Sequence, residues 1–239
     1  MNRSAPVAAA VFLLAPTTKG PRLALISPIT IGGNMVNLVT LPSVPGFESV
    51  DFSFTDSVAI NASPFTGQTQ AQQWPGADMW SGTVNLPQLT QPQADAWLSA
   101  LMYCRGMANA FLIGDPLKQT PAGVPLGTPV IDMTLGTNAV GAQLLDTRGW
   151  ATGGSSPLLV PGDYVQIGYR LHRVVDILGS FGGTLRLSIW PSIRDVLTDG
   201  ETVVTSGCQG LFRLASNKRN WSADFTKMTR LSFPIMEYR

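Results

Sequence analysis

Charge is scarce in this chain. Asp, Glu, Lys and Arg make up 13% of its 239 residues, about half the usual share. A monomer normally wears more charge than this on its surface, so the shortage points to surface that faces other protein. The formal net charge is +1, which speaks against the basic footprint of a dedicated nucleic-acid binder and suits a wall that DNA passes without sticking. Histidine is scarcer still, with His172 alone. A Ser–His–Asp site would need it as the base. Arg170, two residues away on the same predicted strand face, favours a neutral ring but is no orienting acid, so His172 reads as a surface or interface residue. Cys104 and Cys208, the two cysteines, cannot complete a four-ligand zinc site with one histidine. Cys104 lies in a helical pattern and reads as a small buried hydrophobe. A Cys104–Cys208 disulfide stays an alternative, and cytoplasmic synthesis fits the low count better.

No apolar run reaches the length of a membrane span. The stretch from Ala5 to Pro16 imitates a short signal peptide but lacks a clean small-x-small cleavage site and stays apolar through Leu23, Leu25 and Ile26. Pro6, Pro16, Pro21 and Pro28 forbid a continuous helix or central strand, so residues 1–30 are expected to form an extended arm along a neighbouring subunit. No P-loop or dinucleotide glycine fingerprint is present. Acids for a hydrolytic pair are available in Glu48, Asp51, Asp56, Asp115, Asp132, Asp163, Asp176 and Asp195, but several adjoin Gly or Pro, where Asp usually ends a turn. The expectation is a non-enzymatic chain with no catalytic residue, metal or cofactor. A cell-wall hydrolase is the weakest alternative.

What the chain does have is strand patterning. Met35–Leu41, Phe47–Phe54 and Trp80–Leu86 alternate as half-buried strands do, and the polar stretch 55–78 between the last two reads as a loop or edge hairpin. One helix is expected over 91–105. Thr90 and Gln93 form a capping box, Pro92 sits in the first turn, Ala94, Trp97, Leu98 and Leu101 share a face, and Gly106 stops it. Ala110–Ile113 is a short buried strand, and the Pro/Gly-rich 117–129 a linker. Beyond it, strands are expected at Pro129–Leu135, Val140–Leu145, Tyr164–Ile177, Leu185–Ile189, Gly210–Ala215 and Met228–Met236, with turns at Pro161-Gly162-Asp163 and Gly182-Gly183. Strand, strand, helix, strand and then more strands make a mainly β (α+β) chain. The expected main β domain comprises 31–120 and 205–239, with a small β domain inserted at 125–200.

Four stretches together resemble the distal tail or minor tail structural proteins of siphophages. They are Ser63-Pro64-Phe65-Thr66-Gly67-Gln68 with Trp74 and Trp80; Phe111–Pro116 after the Trp97 helix; Pro161–Gly168 leading to Ile189-Trp190-Pro191; and Gly210–Ala215 before Trp221. The resemblance covers most of residues 35–239. It implies a virion protein forming a ring, usually of six copies, on a β-sandwich or split-barrel domain with one helix, a second small β-barrel or sandwich domain projecting outward. The implied partners are copies of itself, the tail tube protein and the tip or hub proteins, with DNA crossing the lumen and no membrane contact. Edge strands need cover, and interfaces favour aromatic anchors. The expected subunit contacts are therefore Phe47, Phe52, Phe54, Phe65, Trp74 and Trp80. The rival reading is a carbohydrate- or host-receptor-binding module using Trp74, Trp80 or Trp150. A nucleic-acid role for Lys218, Arg219 and Lys227 beside Trp221 is the lesser reading of a solvated loop.

Overall fold

A computed structural model describes residues 26–31, 34–151, 154, 157–218, 220–223 and 228–239. The chain runs through β1 (Ile26–Ile31), β2 (Asn34–Val39), β3 (Ser49–Thr55), β4 (Val58–Ala62), β5 (Thr69–Gln73), β6 (Met79–Asn85) and β7 (Leu89–Thr90) to α1 (Gln91–Tyr103) and β8 (Ala110–Ile113). Six strands follow: β9 (Gly127–Ile131), β10 (Leu144–Trp150), β11 (Tyr164–Ile167), β12 (Arg170–Phe181), β13 (Thr184–Trp190) and β14 (Val203–Val204). The last four are β15 (Gly210–Leu214), β16 (Ser222–Ala223), β17 (Met228–Arg230) and β18 (Ser232–Glu237). The molecule is mainly β with one helix among the described residues, as its sequence leads one to expect.

Two sheets dominate. A seven-stranded sheet has the order β1-β2-β8-β15-β18-β6-β3. The other has the order β14-β11-β12-β13-β10-β9, and its strands all come from the interval between β8 and β15. It nearly closes into a barrel: Val130 bridges Thr202, and Ile131 N–H donates to Glu201 O at 2.8 Å. The barrel interior holds Ile131, Leu145, Leu159, Val165, Ile167, Leu187 and Ile189.

α1 forms as its sequence dictates. The Thr90 N–H donates to Gln93 Oε1 at 3.0 Å, closing the capping box. Ala94, Trp97, Ala100 and Leu101 are the buried positions. Trp97 meets Phe47 and Phe233 at ring-centroid distances of 5.8 and 6.3 Å. Each large side chain fully buried there contributes about 1.5–3 kcal/mol over an exposed one. The helix is capped at Cys104, ahead of the expected stop: Arg105, at φ +47°, takes the left-handed position after the cap, and Gly106, at φ +66°, continues the turn.

Several expected elements are rearranged. Tyr164–Ile177 is not one strand. Gly168, at φ +54°, turns the chain, so β11 and β12 pair as a hairpin. The strand expected over Val140–Leu145 starts only at Leu144 and runs on through Trp150. Met228–Met236 splits at Leu231 between a three-stranded sheet (β16-β17-β7) and the seven-stranded one. Of the expected 1–30 arm, residues 1–25 lie outside the described residues, while Ile26–Ile31 pairs with β2.

Candidate functional site

The seven-stranded sheet and the barrel meet along an aromatic seam centred on Trp80. The seam forms because β6 alternates, and Trp80 shares an inward phase with Val84. Its ring lies 5.9 Å from Phe52, 6.2 Å from Tyr164 and, edge-on, 4.5 Å from Trp190. Its indole N–H donates to Leu171 O at 3.0 Å. Trp190 in turn meets Phe54 at 5.6 Å and donates its indole N–H to Asp56 Oδ1 at 2.7 Å.

Beside the seam lies a buried ionic network. Glu237 closes β18 in phase with the inward Phe233 and Ile235. Its Oε1 sits 2.7 Å from Arg194 Nη1 and 3.7 Å from Arg170 Nη1, and its Oε2 accepts from the Trp80 N–H at 3.1 Å. Arg194 Nη1 lies outside hydrogen-bond alignment, so that contact is Coulombic; its Nη2 donates to Asp78 O. Arg170 pairs with Asp195 at 2.7 Å and donates to Tyr238 O. Burial pushes the Glu237 carboxyl up, opposed by Arg194, the Trp80 N–H and Arg170. Desolvation of a buried ion outweighs its partners here, as buried pairs often show.

His172 is not a surface residue. It is 4% exposed on β12, and its Nδ1 lies 2.8 Å from the Pro191 carbonyl, which makes Nδ1–H the donor. Burial holds the imidazole down at about 4; Arg194 and Arg170 add to this, while the Pro191 carbonyl and Asp78 oppose it. Ser192 and Asp78 are close by, yet the three do not make a triad. The Ser192 hydroxyl donates straight to Asp78 Oδ1 at 2.7 Å, and the Ser192 N–H to Asp78 Oδ2 at 2.5 Å. No hydrogen bond joins His172 to Ser192, the contact a triad requires. An adjoining cleft of about 390 Å³ is lined by Thr30, Ile31, Arg170, His172, Arg194 and Glu201 among others. Arg170 and Arg194 are already engaged by the carboxylates and carbonyls named above. The geometry ties two sheets together. Among the described residues no three His, Cys, Asp or Glu side chains converge as a metal site would need. Cys104 and Cys208 are buried thiols not joined in a disulfide.

No family model and no curated protein matches this chain.

The expected contact residues part into two groups. Trp80 is 3% exposed, Phe52 packs edge-on against Trp80 and tilted against Phe212, and Phe47 packs tilted against Trp97. These three are spent inside the chain, because alternation fixes which residues share a face but not whether a second layer covers it. Trp150 is also inward, its indole N–H on Thr147 Oγ1 at 2.8 Å, so a sugar platform loses Trp80 and Trp150. Phe65 (95% exposed), Phe54 (69%) and Trp74 (54%) remain outward. Arg219 and Lys227 lie outside the described residues.

Phe65 tips the β4–β5 hairpin, whose ten strand residues are all exposed. Val58, Ile60 and Ala62 face the same way as their partners Gln73, Ala71 and Thr69, and Asn61, Gln70 and Gln72 face the other. One face of the hairpin is therefore mostly apolar, and no charged residue occurs from Ser57 to Ala77. An isolated two-stranded hairpin is marginal in water. Sequence reasoning missed the second such tip. The β12–β13 turn carries Phe181 (88% exposed) in an uncharged stretch from Ile177 to Leu185. It also missed Glu237, although a carboxylate in phase with Phe233 and Ile235 was a usable signal.

Proposed function

We propose that this chain is a structural assembly protein that forms a closed ring of identical subunits, at the distal end of a bacteriophage tail. The observation that carries the reading is the β4–β5 hairpin, uncharged, apolar on one face and exposed along its whole length. Residues 58–75 approach the roughly 20–30 residues that one side of a standard interface takes. The unpaired outer strands add to it: among the described residues β1 and β3 end the seven-stranded sheet without a partner. Exposed edges of this kind are normally covered. A ring uses two different surfaces of each subunit, and the hairpin and the sheet edges are separate surfaces. The tail location rests on the resemblance of the Ser63–Gln68, Phe111–Pro116, Pro161–Gly168 and Gly210–Ala215 stretches. The ring, usually of six copies in that family, would join the tail tube protein above to tip or hub proteins below, with DNA crossing its lumen.

The test has two parts. Native mass measurement of the purified full chain should give a closed oligomer, and replacing residues 58–73 by a two-residue turn should reduce it to a monomer as stable in urea as wild type diluted until it dissociates. Electron microscopy of particles carrying a tagged chain should place the tag at the distal tail end. A wild-type chain monomeric at every concentration, or a tag located elsewhere, overturns the reading.

A further inference from the structure

The exposed knob has a candidate hole on the same molecule. A groove of about 390 Å³ runs between Pro157, Leu158 and Leu159 on one side, with Ala151 and Gly154, and the β12–β13 turn on the other. Its lining includes Ala151, Pro157, Leu158, Ile177, Phe181 and Leu185, and among the described lining residues Ser180 supplies the one polar side chain. No charged residue occurs from Gly149 to Gly162 or from Ile177 to Leu185, so both walls are neutral. Its volume falls within the roughly 300–1,000 Å³ of pockets that hold small molecules, enough for one phenyl ring and a neighbouring proline. The cleft beside the ionic network is no larger and is lined by Arg170, Arg194, Asp195 and Glu201. Seating an uncharged hairpin there would desolvate those charges without new partners. Matching polarity therefore selects the groove near Phe181.

Placement selects a second copy as the occupant. The hairpin leaves the fold beside Trp190, which touches Phe54 and Asp56 just before β4. The groove sits at the other end of the same strand, against Gly183 and Leu185. Six residues of β13 separate the two, about 20 Å at strand rise. Phe65 is 95% exposed, so it does not fill the groove of its own chain. A neutral knob and a neutral hole at opposite ends of one strand are the two unlike surfaces that a head-to-tail contact uses.

We propose that the groove between Pro157–Leu159 and the β12–β13 turn receives the β4–β5 hairpin tip of the next copy, with Phe65 seated beside Phe181. The inference rests on the ring reading above and names its contact. The Ser63–Gly67 turn, closed by Gly67 N–H on Ser63 O at 3.0 Å, presents Pro64 and Phe65 together. Buried aromatic anchors of this sort carry most of an interface's energy.

Mixed populations of the full chain test it. Phe65→Cys in one and Ser180→Cys in the other should form an intermolecular disulfide on mild oxidation. Phe65→Cys with Val196→Cys, an exposed residue of the charged cleft, is the control and should cross-link more slowly by about tenfold or more. Phe65→Asp and Ser180→Asp should each weaken self-association by at least about tenfold, and Phe65→Lys with Ser180→Asp should recover part of the loss. Both sites are exposed, so the fold should survive each change. Equal cross-linking to positions 180 and 196, or self-association unaffected by both Asp variants, overturns the docking while leaving the ring standing. A monomeric wild type overturns both.

Discussion

Acidification should weaken this fold through His172 by an amount the structure sets. The ring is buried and its imidazole is held at about 4, against 6.5 for an ordinary histidine. Above pH 6.5 it is neutral whether the chain is folded or not, and contributes nothing. As pH falls from 6.5 toward 4, the unfolded chain takes up a proton that the folded chain refuses, so stability drops. Below about 4 both forms are protonated and the loss levels off. At ~1.36 kcal/mol per pH unit of difference the whole loss is about 3 kcal/mol, of which about 2.5 kcal/mol is spent between about pH 7 and pH 4.5. Glu237 acts with the opposite sign. Burial raises its carboxyl, so the folded chain protonates it first and regains stability as pH falls. Asp132 is held low mainly by its hydrogen bonds from Thr134, and Asp199 mainly by Arg148. Their contribution is lost only as pH falls below 3.8, outside this window. Urea unfolding of wild type and His172→Gln at both pH values isolates the histidine, because Gln cannot titrate yet keeps a donor for the Pro191 carbonyl. The variant should lose about 2.5 kcal/mol less than wild type on acidification. Equal losses would refute the buried, neutral His172.

The remaining expectations concern the seam, the barrel and the surface. Trp80→Ala should cost about 3–5 kcal/mol in urea unfolding, since it empties the seam and leaves the Leu171 carbonyl without its donor. Glu237→Gln should cost about 3–5 kcal/mol, because the Arg194 guanidinium stays buried without its carboxylate; pairing it with Arg194→Met should recover most of that loss, and failure to recover would remove the charge argument. Gly127→Ala should destabilise by about 1–3 kcal/mol, since Gly127 sits at φ +99° and a Cβ there would lie 2.3 Å from the Gly149 carbonyl oxygen; a neutral result would mean that β9 and β10 readily shift apart. In urea at concentrations low enough to keep the chain monomeric, Phe65→Asp should change stability by no more than about 0.5 kcal/mol, because Phe65 is 95% exposed within its own chain; a larger loss would mean the hairpin supports its own chain.

The seam also bears on how separable the barrel is. Tyr164, Leu171 and Trp190 from the barrel strands belong to the core cluster built on Trp80, Trp97 and Phe111. Excising residues 125–200 would uncover Trp80 and strip Glu237 of both arginines. A foldable ring domain would then need Trp80 and Glu237 replaced by smaller, polar and neutral residues. We propose the barrel as an insert in this sense, continuous in sequence but welded by side chains.

Local chemistry alone specified much of this molecule. The Thr90–Gln93 capping box with the Trp97 face made α1, alternation made β3 and β6, and paired glycines made the β12–β13 turn, because caps, period and φ are properties of a few neighbouring residues. Which side of a strand ends up covered is not such a property. Trp80 and Trp74 are tryptophans six residues apart, yet one is the hub of the seam and the other is half exposed. Arg170 and Glu237, 67 residues apart, became buried partners only when β12 and β18 were brought onto one junction. Burial depends on what a distant segment lays over a side chain, and only the tertiary structure decides that.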